Sequence, residues 1–317
     1  MRLTWFCAVA ASMLLATASL AQEAAPQPAP SPGEIVSAAP AEAWQAIAPA
    51  DLLVMDLAAD REGKPRRVVI QLMPAPFLQG WVENIRTLTR ARWYDGTSVN
   101  RVQDNYVVQW GDPNYDNPAA EGEAKPLPDG LRRVSEADYT TDALGQALSM
   151  ESVEFDRDAY ALSTFFHAGW PVASDGGGTT WPVHCYGMVG VGRNMSPDTG
   201  SGAELYTVIG HAPRHLDRNI ALVGRVIEGI EHLSSLPRGT GPLGFYESAD
   251  ERVPIVTVRL GNEVPDVPAY EYLATETEAF AAYAEARANR RDPFFNVPAG
   301  GVDVCNVPVP VRQTAAR

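Results

Sequence analysis

The sequence predicts a mainly β fold, an antiparallel barrel or sandwich with two helices among its strands. Short runs in which Val, Ile, Leu and aromatic residues alternate with polar ones recur along the chain, as on half-buried strands. Turn residues separate these runs, often Gly, Pro, Asn or Asp. Helical periodicity is confined to few segments, and many short strands with few helices favour antiparallel architectures.

The first residues, MRLTWFCAVAASMLLATASLAQ, carry Arg2, then an apolar run over 5–18 too short to span a bilayer comfortably, then small residues at 19–21. This is the pattern of a secretory signal peptide over 1–21, cleaved before Gln22; an uncleaved anchor is the other reading. Cys7 lies inside the apolar run, away from the cleavage site. QEAAPQPAPSPG (22–33) lacks the apolar surface to fold and reads as a linker. SAAPAEAWQAI (37–47) reads as a short helix with Pro40 near its first turn.

DLLVMDL (51–57) and RRVVIQLM (66–73) read as a hairpin turned at Gly63 and Pro65. The stretch 74–96 reads as a helix, because Trp81, Ile85 and Leu88 share one face, with Asp95 and Gly96 as its stop. TSVNRVQDNYVVQWGDP follows as two strands around a turn at 103–105. Residues 113–183 break the pattern with Pro, Gly, Asp and Asn. A helix start is expected at Ser135, with Asp138 as a capping partner. SDGGGTTWP (174–182) reads as a flexible loop; no Lys-Ser or Lys-Thr follows it to make a phosphate cradle. Strand patterns return at 184–192, 203–210, 220–227 and 253–260, with a short helix at 228–236. Residues 270–291 predict a helix with cations near its C-terminus, and 292–317 an extended tail.

The chain has 317 residues and a formal net charge of −14, which disfavours nucleic acid and anionic lipid as partners. No second long apolar run follows the first, so no membrane insertion is expected after cleavage. Cys185 and Cys305 then remain. In an oxidising compartment they are a candidate disulfide; two unpaired buried thiols are the alternative. His211 and His215 have metal-ligand spacing only on a helix, and Pro213 lies between them. His184 has no second ligand cluster beside it, no Gly-x-Ser-x-Gly elbow is present, and Asp156 and Asp158 read as a solvated face.

Several motifs resemble the cyclophilin family of peptidyl-prolyl cis/trans isomerases. Ala75-Pro76, Val82-Glu83-Asn84 and Tyr94-Asp95-Gly96-Thr97 are similar to its AP…VENF…YDGT run. Asn100-Arg101-Val102 stands where the family has His-Arg-Val, and Tyr106 to Pro113 resembles FMIQGGDP. Gly187-Met188-Val189, Ala203-Glu204-Leu205-Tyr206, Leu216-Asp217 and Val223-Gly224-Arg225-Val226 look like LSMA, SQFF and LD…VFGKV. The resemblance covers roughly 50–112 and 185–262. It implies a cyclophilin-like closed antiparallel β-barrel with two flanking helices over 50–262, an insertion at about 113–183, and a C-terminal helix and tail over 263–317.

Rotation about a peptide bond costs about 18–20 kcal/mol because resonance is lost. A fixed donor aimed at the prolyl nitrogen binds the twisted amide more strongly than either planar isomer. A guanidinium is always charged and holds its donors in a rigid fork. The resemblance therefore implies Arg101 as the catalytic residue. It implies an apolar proline pocket from Tyr106, Val107, Leu205 or Tyr206, and Leu216, with Gln109 beside the arginine and Val189 and Gly190 along the peptide edge. Asn100 replaces the family histidine. Glu204 replaces glutamine, so an amide donor becomes an acceptor carboxylate, able to divert Arg101 if the two pair. His215 replaces the aromatic residue beside Leu216, which should weaken cyclosporin-type ligands. The expected function is isomerisation of X-Pro bonds in exported, periplasmic polypeptides, without a cofactor. The alternative is a catalytically weak cyclophilin-like chaperone or binding module, recognisable by a closed Arg101–Glu204 pair.

Overall fold

A computed structural model describes residues 28–115, 120, 122–144 and 158–314. The signal-peptide segment and Asp156 lie outside the described residues. Ser31 opens α1 (Pro32–Ala38) through a capping box with Glu34, and Pro32 occupies the first turn, where no N–H is needed. The helix expected over 37–47 thus sits earlier, and β1 (Trp44–Ala46) takes the place of its second half. β2 (Leu52–Leu57) and β3 (Arg66–Leu72) form the expected hairpin, with Leu57 opposite Arg66. α2 (Gln79–Arg90) buries Trp81, Ile85 and Leu88 completely. It ends before Asp95 and Gly96: Arg92 adopts φ 54°, its N–H bonds to Thr89 and that of Trp93 to Leu88, closing a Schellman turn without glycine.

β4 (Ser98–Val102) and β5 (Val107–Gly111) flank the turn at 103–105. Within 113–183 the structure departs from the expected irregularity. The capping box at Ser135 holds only one 3-10 turn, Glu136–Tyr139. β6 (Ser163–His167), β7 (Trp170–Ser174) and β8 (Thr180–Pro182) then form an antiparallel sheet. In the glycine-rich loop, Asp175 Oδ1 accepts from the N–H groups of Gly177 and Thr179 at 2.8 and 3.1 Å, and the last three residues form β8. β9 (Met188–Val191), β10 (Leu205–Val208), β11 (Leu222–Glu228) and β12 (Val253–Leu260) follow, with α3 (Glu231–Ser234) as one turn. β13 (Tyr270–Leu273), α4 (Glu278–Ala288) and β14 (Val311–Gln313) complete the chain.

Eight strands close a barrel in the order β10-β5-β4-β12-β2-β3-β11-β9, and β1, β13 and β14 form a third sheet. Every barrel pairing is antiparallel. The barrel core continues into the cover of α2, the inserted sheet and α4, whose Phe280 ring meets that of Phe166 at 4.9 Å. Arg225 on β11 joins three layers. It donates to Gln71 Oε1 on β3 (2.9 Å) and to the Gly169 carbonyl before β7 (2.7 Å), and packs over Trp170 and Tyr272. Burial pulls its guanidinium down to about 10, with Tyr272 opposing the shift. Cys185 and Cys305 are joined by a disulfide that ties the tail to the segment before β9. Among the described residues no helix is long and apolar enough to cross a membrane, and no group of His, Cys, Asp and Glu could hold a metal ion.

Candidate active site

Arg101 lies on β4 just past a pairing irregularity between Val99 and Arg101, and such a bulge re-aims the side chain that follows it. Its neighbours Val99, Asn100 and Val102 are fully buried, whereas Arg101 reaches a rim. Beyond the β12 pairing, a return of the chain covers this edge of β4. Tyr246 N donates to Asn100 O and Gly239 N to Val102 O, both at 2.9 Å. That return carries Leu243 and Phe245 to the guanidinium.

Three side-chain hydrogen bonds orient Arg101. Nε donates to the Leu243 carbonyl at 2.7 Å, one terminal nitrogen to Gln109 Oε1 at 3.1 Å, and the other to Gln103 Oε1. The Tyr106 and Phe245 rings flank it, with centroids 5.8 and 5.5 Å away. Burial pulls its pKa below the usual arginine range, and nearby Tyr106 opposes that shift. A guanidinium offers five N–H donors, and among the described residues three are taken, which leaves two to meet a ligand.

Arg101 borders a cavity of about 360 Å³. Val107, Tyr206, Leu216 and Ile220 supply apolar surface, and Tyr106, Gln109 and Glu204 also line it. The alternation of β10 decides between the two floor residues expected from the sequence. Leu205 points into the barrel core opposite Trp110, and Tyr206 faces the cavity. Val189 and Gly190 do not border it. Val189 is core, and Gly190 lies opposite Tyr206, where an added Cβ would come 2.3 Å from the ring. Gly192 and Arg193 line the cavity instead.

The Arg101–Glu204 ion pair that would mark the binding module is not formed; the hydrogen bonds of Arg101 go to Leu243, Gln103 and Gln109. Glu204 is buried against Gly111 and Gly192: a Cβ on Gly111 would stand 2.1 Å from Oε1. His215 lies beside the cavity, its ring stacked on Tyr106 at 6.3 Å. Asn100 points away from it, donating weakly to the Asp112 carbonyl at 3.5 Å. Asp158 is not on a solvated face, since it is almost fully buried against Arg214. The residues not foreseen from the sequence are Gln103, Tyr115, Gly192, Arg193, Ile220, Leu243 and Phe245. Leu243 and Phe245 arrive from a loop whose only signal was its Gly-Pro content.

The family model for cyclophilin type peptidyl-prolyl cis-trans isomerase/CLD matches residues 67–260. Among solved structures, the cyclophilin AquaCyp293 from Hirschia baltica is similar with a TM-score of 0.61 at 21% identity, over 86% of this chain and 95% of that one. A cyclophilin type peptidyl-prolyl cis-trans isomerase from Cryptosporidium parvum, solved in the presence of the dipeptide Ala-Pro, aligns with a TM-score of 0.37 at 10% identity, over 65% of this chain and 98% of that one. No curated protein matches the chain. With the family match spanning more than half of the sequence and the closed antiparallel barrel in place, the chain belongs to the cyclophilin-type peptidyl-prolyl cis-trans isomerase family.

Proposed function

We propose that the protein isomerises X-Pro bonds of exported polypeptides, with Arg101 stabilising the twisted amide above a proline pocket floored by Val107, Tyr206 and Leu216. The observation that carries this reading is the division of the Arg101 donors. Three are held by Leu243, Gln103 and Gln109, and two remain at the mouth of an apolar cavity. Because the other three are held, the two remaining donors cost no reorganisation when the amide twists, and they act where burial keeps water scarce. Twisting returns the lone pair to the prolyl nitrogen, which then accepts from the guanidinium more strongly than in either planar isomer. The reaction breaks no covalent bond, and these side chains need no metal or cofactor for it. Gln109 holds one arm of the fork and lines the cavity beside the substrate carbonyl.

Absence of an Arg101–Glu204 pair favours the catalyst over the binding module, because the fork is not diverted. The exported setting rests on the leader-like N-terminus and on the Cys185–Cys305 disulfide, which suits an oxidising compartment. The test is a prolyl-isomerisation assay on a short Xaa-Pro peptide. Arg101→Ala should lower kcat/KM by about 10²–10³, the scale of losing one preorganised donor. A folded Arg101→Ala variant as fast as the wild type would remove Arg101 from the mechanism.

A further inference from the structure

The floor of the cavity is tied to a buried polar chain that the isomerisation itself does not require. Tyr206 turns its ring to the cavity and its hydroxyl away, to within 2.9 Å of His184 Nε2. The two rings are nearly parallel, 11° apart. On the far side of the imidazole, Nδ1 lies 2.8 Å from Asp217 Oδ1, which also accepts the His184 backbone N–H at 3.0 Å. Arg214 Nε donates to the other Asp217 oxygen at 2.6 Å. The terminal nitrogens of Arg214 then grip both oxygens of Asp158, at 2.6 and 2.9 Å, in a bidentate pair. Tyr206, His184, Asp217, Arg214 and Asp158 are all nearly removed from solvent.

The proton positions follow from the partners. A carboxylate only accepts, so Nδ1 carries the proton that points at Asp217. On a neutral ring Nε2 is then left to accept from the phenol. Burial pushes the Tyr206 phenol well above its usual range, so the hydroxyl keeps the proton that it donates. The imidazole cannot slide, because the same carboxylate holds its ring and its backbone. The carboxylate in turn is clamped by an arginine whose terminal nitrogens are held by Asp158, within the segment 113–183.

We propose that His184 is a positioning residue of the isomerase: through the chain Tyr206–His184–Asp217–Arg214–Asp158 it fixes the Tyr206 ring as the floor of the proline pocket, so that the insertion helps to set how tightly a prolyl ring is held. The proposal rests on the proline-pocket reading. It adds that the pocket depends on groups that never touch substrate. Without the imidazole the Tyr206 hydroxyl is buried and unsatisfied beside an empty volume, and the ring drops toward it. Without the hydroxyl, Nε2 is the orphan and nothing ties the ring in place. Removing both partners together cuts the same link once, so the effects of the two single changes should not add.

The test compares His184→Leu, Tyr206→Phe and the double variant in the full mature chain. KM and kcat are measured on an Xaa-Pro peptide at a temperature where thermal melts show each variant folded. Each single change should raise KM about tenfold with kcat within about threefold, and the double should raise KM no further than either single, because all three variants cut the same link. A role confined to stability would lower the melting temperature and leave KM unmoved, which would overturn the proposal; so would single effects that simply add in the double. If His184→Leu does not fold, Tyr206→Phe decides alone, and a wild-type KM there rejects the proposal. Arg101→Ala, assayed alongside, keeps the two readings apart. A wild-type kcat in that variant would unseat Arg101, while the KM comparison would still report on His184.

Discussion

At the scale of single residues, the site depends on groups that hold other groups still. Gly190 is the clearest case. It lies across from Tyr206 in the β9–β10 pairing, and the ring rests where a side chain would stand. Gly190→Ala would bring a Cβ 2.3 Å from the ring, so the phenol must shift or leave His184. The expected outcome is a rise in KM of about tenfold, with a loss of stability of about 1–3 kcal/mol from overpacking. Steady-state kinetics and urea unfolding on the same preparation check both parts. Gly190 was expected at this site from the sequence, but as a lining residue. It serves from behind the floor, a role that only the strand register exposes. Leu205 and Tyr206 were likewise inseparable in sequence, since both are large and adjacent. The pleat sends one into the barrel and the other to the cavity.

Secondary-structure elements differ in how plainly the sequence announces them. The barrel strands β2 to β5 and β9 to β12 alternate or end in clear turns, and their positions were legible to within a few residues. The inserted sheet was not. β7 is buried along its whole length, so it shows no alternation, and Pro171 inside it argues against a strand. β1, β13 and β14 have only three or four residues each, too few for a period to emerge. α1 was misplaced although Ser31 and Glu34 spell its capping box, because the surrounding prolines and alanines pointed to a linker. The remote polar chain was illegible for another reason. His184, Asp158 and Asp217 are ordinary residues in sequence, and only the fold brings them to Tyr206. At this scale the disulfide carries a prediction. It closes a loop of 120 residues, which the chain-entropy account values at about 5 kcal/mol. The Cys185→Ser/Cys305→Ser double variant should lose about that much in equilibrium unfolding. A loss below about 1 kcal/mol would mean that packing of the tail, and not the crosslink, holds it to the barrel.

Over the whole molecule, the barrel is built into a larger body by three connections. Arg225 ties the barrel to the inserted and terminal sheets, the disulfide ties the tail to the segment before β9, and Arg214 ties the insertion to the pocket floor. His184, next to Cys185 in sequence, therefore stands where the disulfide and the polar chain meet. Residues 113–183, expected from the sequence as an insertion, carry the sheet β6-β7-β8 beside a barrel whose eight strands still close. The proposed export has its own check. Produced in a secreting host, the protein should be recovered with Gln22 as its first residue, read by intact mass. Recovery with residues 1–21 still attached would leave the anchor reading standing.

The central claim is that Arg101 acts on the twisted amide and not on binding. The most direct measurement is on-enzyme exchange between the cis and trans forms of a saturating Xaa-Pro peptide, followed by NMR for the wild type and for Arg101→Ala, with Kd determined in the same titration. The account predicts that the interconversion rate falls by at least about a hundredfold while Kd changes by less than about threefold. A variant that binds much more weakly yet interconverts bound peptide at the wild-type rate would contradict it.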